Sequence, residues 1–177
     1  MLEQRDWRGH FFVVTDRVGA PGFVTEQDIR ALASRGHVIG SHSHSHPIMT
    51  KLGDAAIRAE WETSRKRLEE ILDMKVNAAS VPTGFYMPRV GRLAIEAGYR
   101  HLFTSEPWLR PRAHDGGTIY GRFSITRGST AESVRGLCTF SRATIARQRF
   151  GWQSRKALKR ALGPAYEGLR ELAIKRR

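Results

Sequence analysis

Apolar residues along this chain fall into short blocks and wider helical stripes that alternate. Phe11-Phe12-Val13-Val14 is a run of four apolar positions, as expected of a strand buried on both faces. A loop at Gly19-Ala20-Pro21-Gly22 follows. Thr25 has the place of an N-cap, with Asp28 where a capping box carries an acid or amide, and Ile29, Leu32 and Ala33 continue at helical spacing until Gly36 stops the helix. Residues 37–41 predict a second strand. Residues 54–72 predict a long helix, because Ile57, Trp61, Ser64, Leu68 and Ile71 share one stripe opposite a charged face. Residues 76–81 read as a strand of small residues that runs into Pro82-Thr83-Gly84. Pro88 suits the first turn of another helix, where its missing N–H costs nothing. Val90, Leu93, Ala94 and Ala97 form the apolar side of that helix and Gly98 ends it. Residues 99–104 predict a strand, 105–117 a loop rich in Pro, Arg and Gly, and 118–125 the last strand. A helix opens near Thr130, and from residue 143 the chain reads as helical and basic up to a break at Gly163-Pro164.

Strand-helix alternation of this kind argues for parallel strands joined by right-handed crossovers. In such sheets, sites gather at the C-terminal ends of the strands. Residues 42–46 and 82–86 both occupy that position, so two loops are expected to converge on one face.

Composition narrows the classes. A chain of 177 residues suits one globular domain with a real core. Its single cysteine, Cys138, cannot form an internal disulfide and reads as a small buried residue. There is no signal-peptide pattern at the N-terminus and no run of about 20 apolar residues that would span a membrane, so a cytoplasmic location, or the cytoplasmic membrane face, is expected. The net charge is +13, and between Arg142 and Arg177 eleven Lys and Arg face two acids, Glu167 and Glu171. Such a tail is either a solvated helical face or a dock for anionic lipid; nucleic acid is the less favoured partner.

The chemistry concentrates in Gly40-Ser41-His42-Ser43-His44-Ser45-His46-Pro47. Imidazole is a common metal ligand and is largely uncharged at neutral pH. His44 is not expected as a ligand; if the segment coils, His42 and His46 meet on one face. This stretch resembles the second motif of the polysaccharide deacetylase family, the NodB-homology domains, in which the first and last histidines of a His-(Ser/Thr)-x-x-His pattern bind a divalent metal, usually zinc. Pro82-Thr83-Gly84-Phe85-Tyr86-Met87-Pro88 resembles the family's third motif, usually Pro-Tyr-Gly, and Ala97-Gly98-Tyr99-Arg100 follows at the usual distance. The match covers roughly residues 8 to 127.

The resemblance implies an incomplete, distorted (β/α) barrel over residues 1–142, with a basic helical extension over 143–177. It implies His42 and His46 as metal ligands, the Thr83 backbone N–H as oxyanion donor, and Pro82, Gly84 and Tyr86 as substrate-binding residues. The activity implied is metal-dependent hydrolysis of the amide of N-acetylated sugars, in a glycan or glycolipid. The family's first motif, Thr-Phe-Asp-Asp-Gly, supplies a general base and the third metal ligand, and neither is found here. The chain is therefore expected to begin after the family's first strand, with activity impaired and two sheet edges exposed to association. Asp16 is the better substitute ligand and Asp28 the poorer, since it reads as a helix-start charge. His114 reads as a loop residue. The rival functions are a catalytically inactive glycan-binding or scaffold module, and a basic protein acting at membrane surfaces or on nucleic acid.

Overall fold

The computed structural model describes residues 2–84 and 86–162, the last five without their side chains. Two compact units divide the chain, residues 1–122 and 123–177. The first holds a six-stranded sheet: β1 (His10–Val13), β2 (Val38–Ser41), β3 (Ala78–Ser80), β4 (His101–Phe103), β5 (Arg112–His114) and β6 (Gly117–Tyr120), in the order β1-β2-β3-β4-β6-β5. Every pairing is parallel except β5 with β6. Helices α1 (Glu26–Ser34), α2 (Asp54–Leu72) and α3 (Pro88–Glu96) are the crossovers.

The helix signals act as read. Thr25 Oγ1 accepts from the Asp28 N–H at 3.1 Å and Asp28 returns the bond to the Thr25 N–H at 2.9 Å, which closes the capping box of α1. Asp28 is thereby committed to the helix start. Gly36 and Gly98 follow α1 and α3 in left-handed backbone, with φ of 81° and 97°. Along α2, Ile57, Trp61, Ser64, Leu68 and Ile71 are all buried.

Side chains alternate strictly across the sheet. Phe11 and Val13, Ile39, Ala79, Leu102 and Ile119 join the apolar core with Ile29, Trp61, Leu68, Val90 and Leu93 of the helices. The other set, His10, Phe12, Gly40, Ala78, Ser80, His101, Phe103 and Tyr120, lies on the opposite face. That face is concave. The Phe12 and Phe103 rings are 5.3 Å apart, yet β1 and β4 are separated by two strands; in a flat sheet three strand spacings would hold them about 14 Å apart. Gly40 lets the sheet curl: a Cβ there would lie 2.8 Å from both the Ala78 carbonyl and the Phe12 ring. At the strands' N-terminal ends the curl leaves a cavity of about 590 Å³, lined among others by His10, His37, His101, Phe103 and Tyr120.

The sheet does not close among the described residues; β1 and β5 are its edges. This is the incomplete barrel expected, with one addition. Residues 112–114, read as loop, form β5 and pair back on β6 across Asp115-Gly116, Gly116 taking a φ of 80°. An Asp-Gly pair is a hairpin signal, but β5 is exposed throughout and carries no apolar alternation to reveal it. His114 thus sits on an edge strand.

The second unit comprises α4 (Ala131–Cys138) and α5 (Arg142–Leu162). Thr130 caps α4 by accepting from the Ser133 N–H at 3.2 Å. Cys138 is exposed, against the expectation of a buried small residue: it ends α4, where the helix turns into the left-handed Phe140, rather than facing Ile145, the buried position of α5. The break expected at Gly163-Pro164 lies outside the described residues.

Gly40→Val is expected to destabilise the protein by about 1–3 kcal/mol in urea unfolding, because overpacking a tight site forces the backbone to move. Unchanged stability would show that Gly40 does not set the curl.

Candidate metal centre

The loop after β2 coils. Ser43 and His46 both adopt left-handed backbone, φ 64° and 62°, and this brings the His42 and His46 rings to 4.9 Å between centroids. Left-handed conformations are unfavourable for side chains with a Cβ, so something must hold them. Glu60, on the polar face of α2, does much of it. Its carboxylate accepts from the N–H groups of His44 and Ser45 at 2.9 and 2.8 Å and from the Ser45 hydroxyl at 2.6 Å. The Ser43 hydroxyl accepts from the His46 N–H at 3.0 Å, and Ser41 Oγ accepts from the Ser43 N–H at 3.0 Å while bonded to Ser64 Oγ at 2.7 Å. The alternating serines are therefore the loop's internal scaffold.

The three imidazoles part company. His44 Nδ1 bonds the Thr15 hydroxyl at 3.0 Å and is turned away from the pair. His42 Nδ1 lies 3.0 Å from the Ser80 carbonyl and 2.6 Å from its hydroxyl. A carbonyl can only accept, so Nδ1 carries the proton and Nε2 keeps its lone pair. Burial lowers the His42 pKa to about 4; the positive charges of His46 and Arg122 push the same way, against the Ser80 carbonyl, which favours the cation. His42 is thus a neutral imidazole with its tautomer fixed from behind, an arrangement that metal-binding histidines share.

Pro82-Thr83-Gly84 begins two residues after Ser80. Thr83 has φ 59° and ψ −9°, a conformation that a β-branched residue adopts only under strain, at a cost of order 1–3 kcal/mol. Its hydroxyl is buried without a hydrogen-bond partner among the described residues. Gly84, at φ 74°, packs so that a Cβ would lie 3.0 Å from Ser105. Tyr86 turns inward: its ring meets Trp108 edge-on at 5.8 Å and lies over Gly91 of α3. Its phenol pKa is raised, by burial first and then by the negative charge of Glu106.

Two imidazoles fit a metal, but as half of a site. Among the described residues no group of three His, Cys, Asp or Glu comes together. Asp16 does not complete one, although its N–H donates to the His44 carbonyl at 3.1 Å. Four residues important to the geometry escape a reading of spacing alone: Ser80, Glu60, Glu106 and Arg122. Ser80 and Glu60 act from a small-residue strand and a helix's charged face, neither of which marks them out.

A curled, mostly parallel sheet with paired imidazoles at its C-terminal end is a distorted (β/α) barrel. The family model described as polysaccharide deacetylase matches residues 1–102, and the chain belongs to that family. It is 28% identical over 107 residues to an uncharacterised 30.6 kDa protein of Geobacillus stearothermophilus, covering 59% of this chain and 38% of that one. Among solved structures it resembles the Streptococcus pyogenes deacetylase PplD in complex with acetate, at TM-score 0.68 and 19% identity over 76% of this chain and 60% of that one. It also resembles IcaB from Ammonifex degensii, at TM-score 0.65 and 20% identity over 84% and 64% of the two chains. The chain spans about 40% of the length of the curated relatives it matches.

Because the unfolded chain binds a proton on His42 near pH 6.5 and the folded one only near 4, the stability held above pH 6.5 is expected to be lost progressively as pH falls towards 4. His42→Gln should flatten that part of the profile in metal-free protein, read from urea midpoints at pH 7, 5.5 and 4.5. Identical slopes in both proteins would contradict the buried, neutral imidazole.

Proposed function

We propose that this chain is a metal-dependent deacetylase acting on the acetamido groups of an N-acetylated glycan or glycolipid. The observation that carries this reading is the His42–His46 pair, with ring centroids 4.9 Å apart and His42 held in the ligand tautomer by Ser80. Family membership supports the hydrolase class. In this reading His42 and His46 are the imidazole half of the metal site, and zinc is the expected ion given nitrogen ligands and hydrolytic chemistry. A bound divalent ion would supply Lewis acidity and a more acidic water. The Thr83 backbone N–H would face the oxygen on which negative charge grows, and the strained turn would keep it in place. Pro82, Gly84 and Tyr86 would shape the sugar's seat. Residues 1–142 would form the hydrolase domain and 143–177 its basic extension. No described helix is long and apolar enough to cross a membrane; a site of action at the cytoplasmic membrane face remains part of the proposal.

The sequence contains no Asp-Asp-Gly to supply the base and the third ligand. Two imidazoles alone make a weak site, so low zinc affinity and little turnover are expected of this chain by itself. The same gap supports a second reading, in which the cleft binds glycan without chemistry.

Zinc affinity by calorimetry and acetate release from an N-acetylglucosamine oligomer test both. This chain should bind zinc weakly and turn over little. A version extended upstream through an Asp-Asp strand should gain at least a hundredfold in each, and His42→Ala should abolish zinc binding in both. An extended protein that stays inactive yet binds the oligomer equally with and without chelator would replace the hydrolase by the binding module.

A further inference from the structure

The second unit carries an exposed surface that the deacetylase chemistry does not use. Helix α5 holds seven Lys and Arg and no acid along its 21 residues. The sequence has no Asp or Glu at all between Glu132 and Glu167. Apolar groups stand out among these cations. Phe150 is 72% exposed, and Phe140, at the turn that leads into α5, is 68% exposed in left-handed backbone at φ 54°.

Helical spacing sorts α5 into faces. Among its described side chains Ile145 alone is buried. Gln148, nearly one turn on, grips the Ser124 backbone with both ends of its amide, accepting from the N–H at 3.3 Å and donating to the carbonyl at 2.8 Å. These two residues fix the inward side. Ala143, Ala146, Phe150 and Ala157 share a stripe well away from it, and all four are exposed. Arg142, Arg149 and Lys156 recur every seventh position along one border of that stripe, and Arg147 stands on the other. Lys156 Nζ lies 4.5 Å from the centroid of Trp152, which holds this cation on the flank and off the stripe.

No described helix is apolar enough to cross a membrane. A stripe of small and aromatic apolar groups bordered by cations is instead the arrangement of a helix that lies in a bilayer interface. There an aromatic ring enters among the acyl chains while long basic side chains reach anionic headgroups. Nucleic acid would attract the same charge, but its phosphates and base edges call for polar groups along the outward line, where α5 places Ala and Phe.

We propose that the outward face of α5 docks this chain on an anionic membrane surface, with Phe150 as the inserted group and Arg142, Arg147 and Arg149 as its headgroup contacts. The face needs neither metal nor turnover, so it stands or falls separately from the deacetylase reading. Its bearing on the substrate does rest on that reading: a chain held at a bilayer is suited to a lipid-linked N-acetylated glycan over a free one.

The test is co-sedimentation of the full chain, freed of metal and without glycan, with vesicles of equimolar phosphatidylglycerol and phosphatidylcholine and with vesicles of phosphatidylcholine alone. The anionic vesicles should bind the chain, high salt should release it, and the neutral vesicles should bind it far more weakly. Phe150→Ser and Arg149→Glu, both at exposed positions and checked for folding by circular dichroism, should each weaken binding by about tenfold. Phe150→Leu keeps an apolar group and should retain most of the binding. Absence of binding, equal binding to both vesicle types, or binding unchanged in the serine and glutamate variants would overturn the proposal. So would tighter binding to an RNA oligonucleotide than to anionic vesicles, which would assign the charge to nucleic acid. A concentration-dependent dimer that Phe150→Ser dissolves would overturn it too, by assigning the stripe to a second copy of the chain.

Discussion

The curl of the parallel sheet is the constraint on which the rest depends. A flat sheet would keep His42, Ser80, Thr104 and Arg122 strung out along four strand ends. Curling places them around one mouth, and it requires that something on the concave side be small. Gly40 and Ala78 provide that room where β2 and β3 run together, and Phe12 reaches across it to Phe103. Large side chains at those two positions would stop β1 from approaching β4. The convex side imposes the opposite demand. There Ile39, Ala79, Leu102 and Ile119 pack on the stripes of α1, α2 and α3, and this burial supplies the main stabilisation. The strict two-residue alternation of strands thus divides the labour, with cohesion on one face and shape on the other.

The histidine loop is costly and is held in place by polar contacts instead of apolar ones. Two non-glycine residues in left-handed backbone would not persist in an unsupported loop. Glu60 offsets the cost by accepting three hydrogen bonds on one carboxylate, and charge-assisted bonds of this kind are stronger than neutral ones. Because Glu60 belongs to α2, and α2 is fixed to the sheet by Trp61, Ser64 and Leu68, the imidazole pair inherits the rigidity of the core.

Much of the fold was legible in the sequence because its signals are local and redundant. The capping box at Thr25, the stripe on α2, Pro88 and Gly98 around α3 each state an element on their own, and parallel topology follows from their alternation. The exposed β5 was not legible, since a polar edge strand lacks the alternation that betrays a strand, and Cys138 was misplaced because composition says nothing about which side of a helix end faces the neighbouring helix. Of the site, the approach of His42 to His46 could be read once the segment was taken as coiled. Ser80, Glu60 and Arg122 could not. Glu60 reaches His44 across 16 residues and Ser80 reaches His42 across 38, and nothing in the local pattern distinguishes a serine that orients an imidazole from one that fills a strand.

Scaffold and charge are separable in this structure. The chain brings two imidazoles together after β2, holds one of them against Ser80, and sets a strained turn at the end of β3. Among the described residues no acid completes a group of three with these imidazoles, and the charges that act on His42 are the positive ones of His46 and Arg122. The two halves obey different physics. Ring placement follows from packing and hydrogen bonds spread over several elements, whereas the charge around His42 depends on few groups.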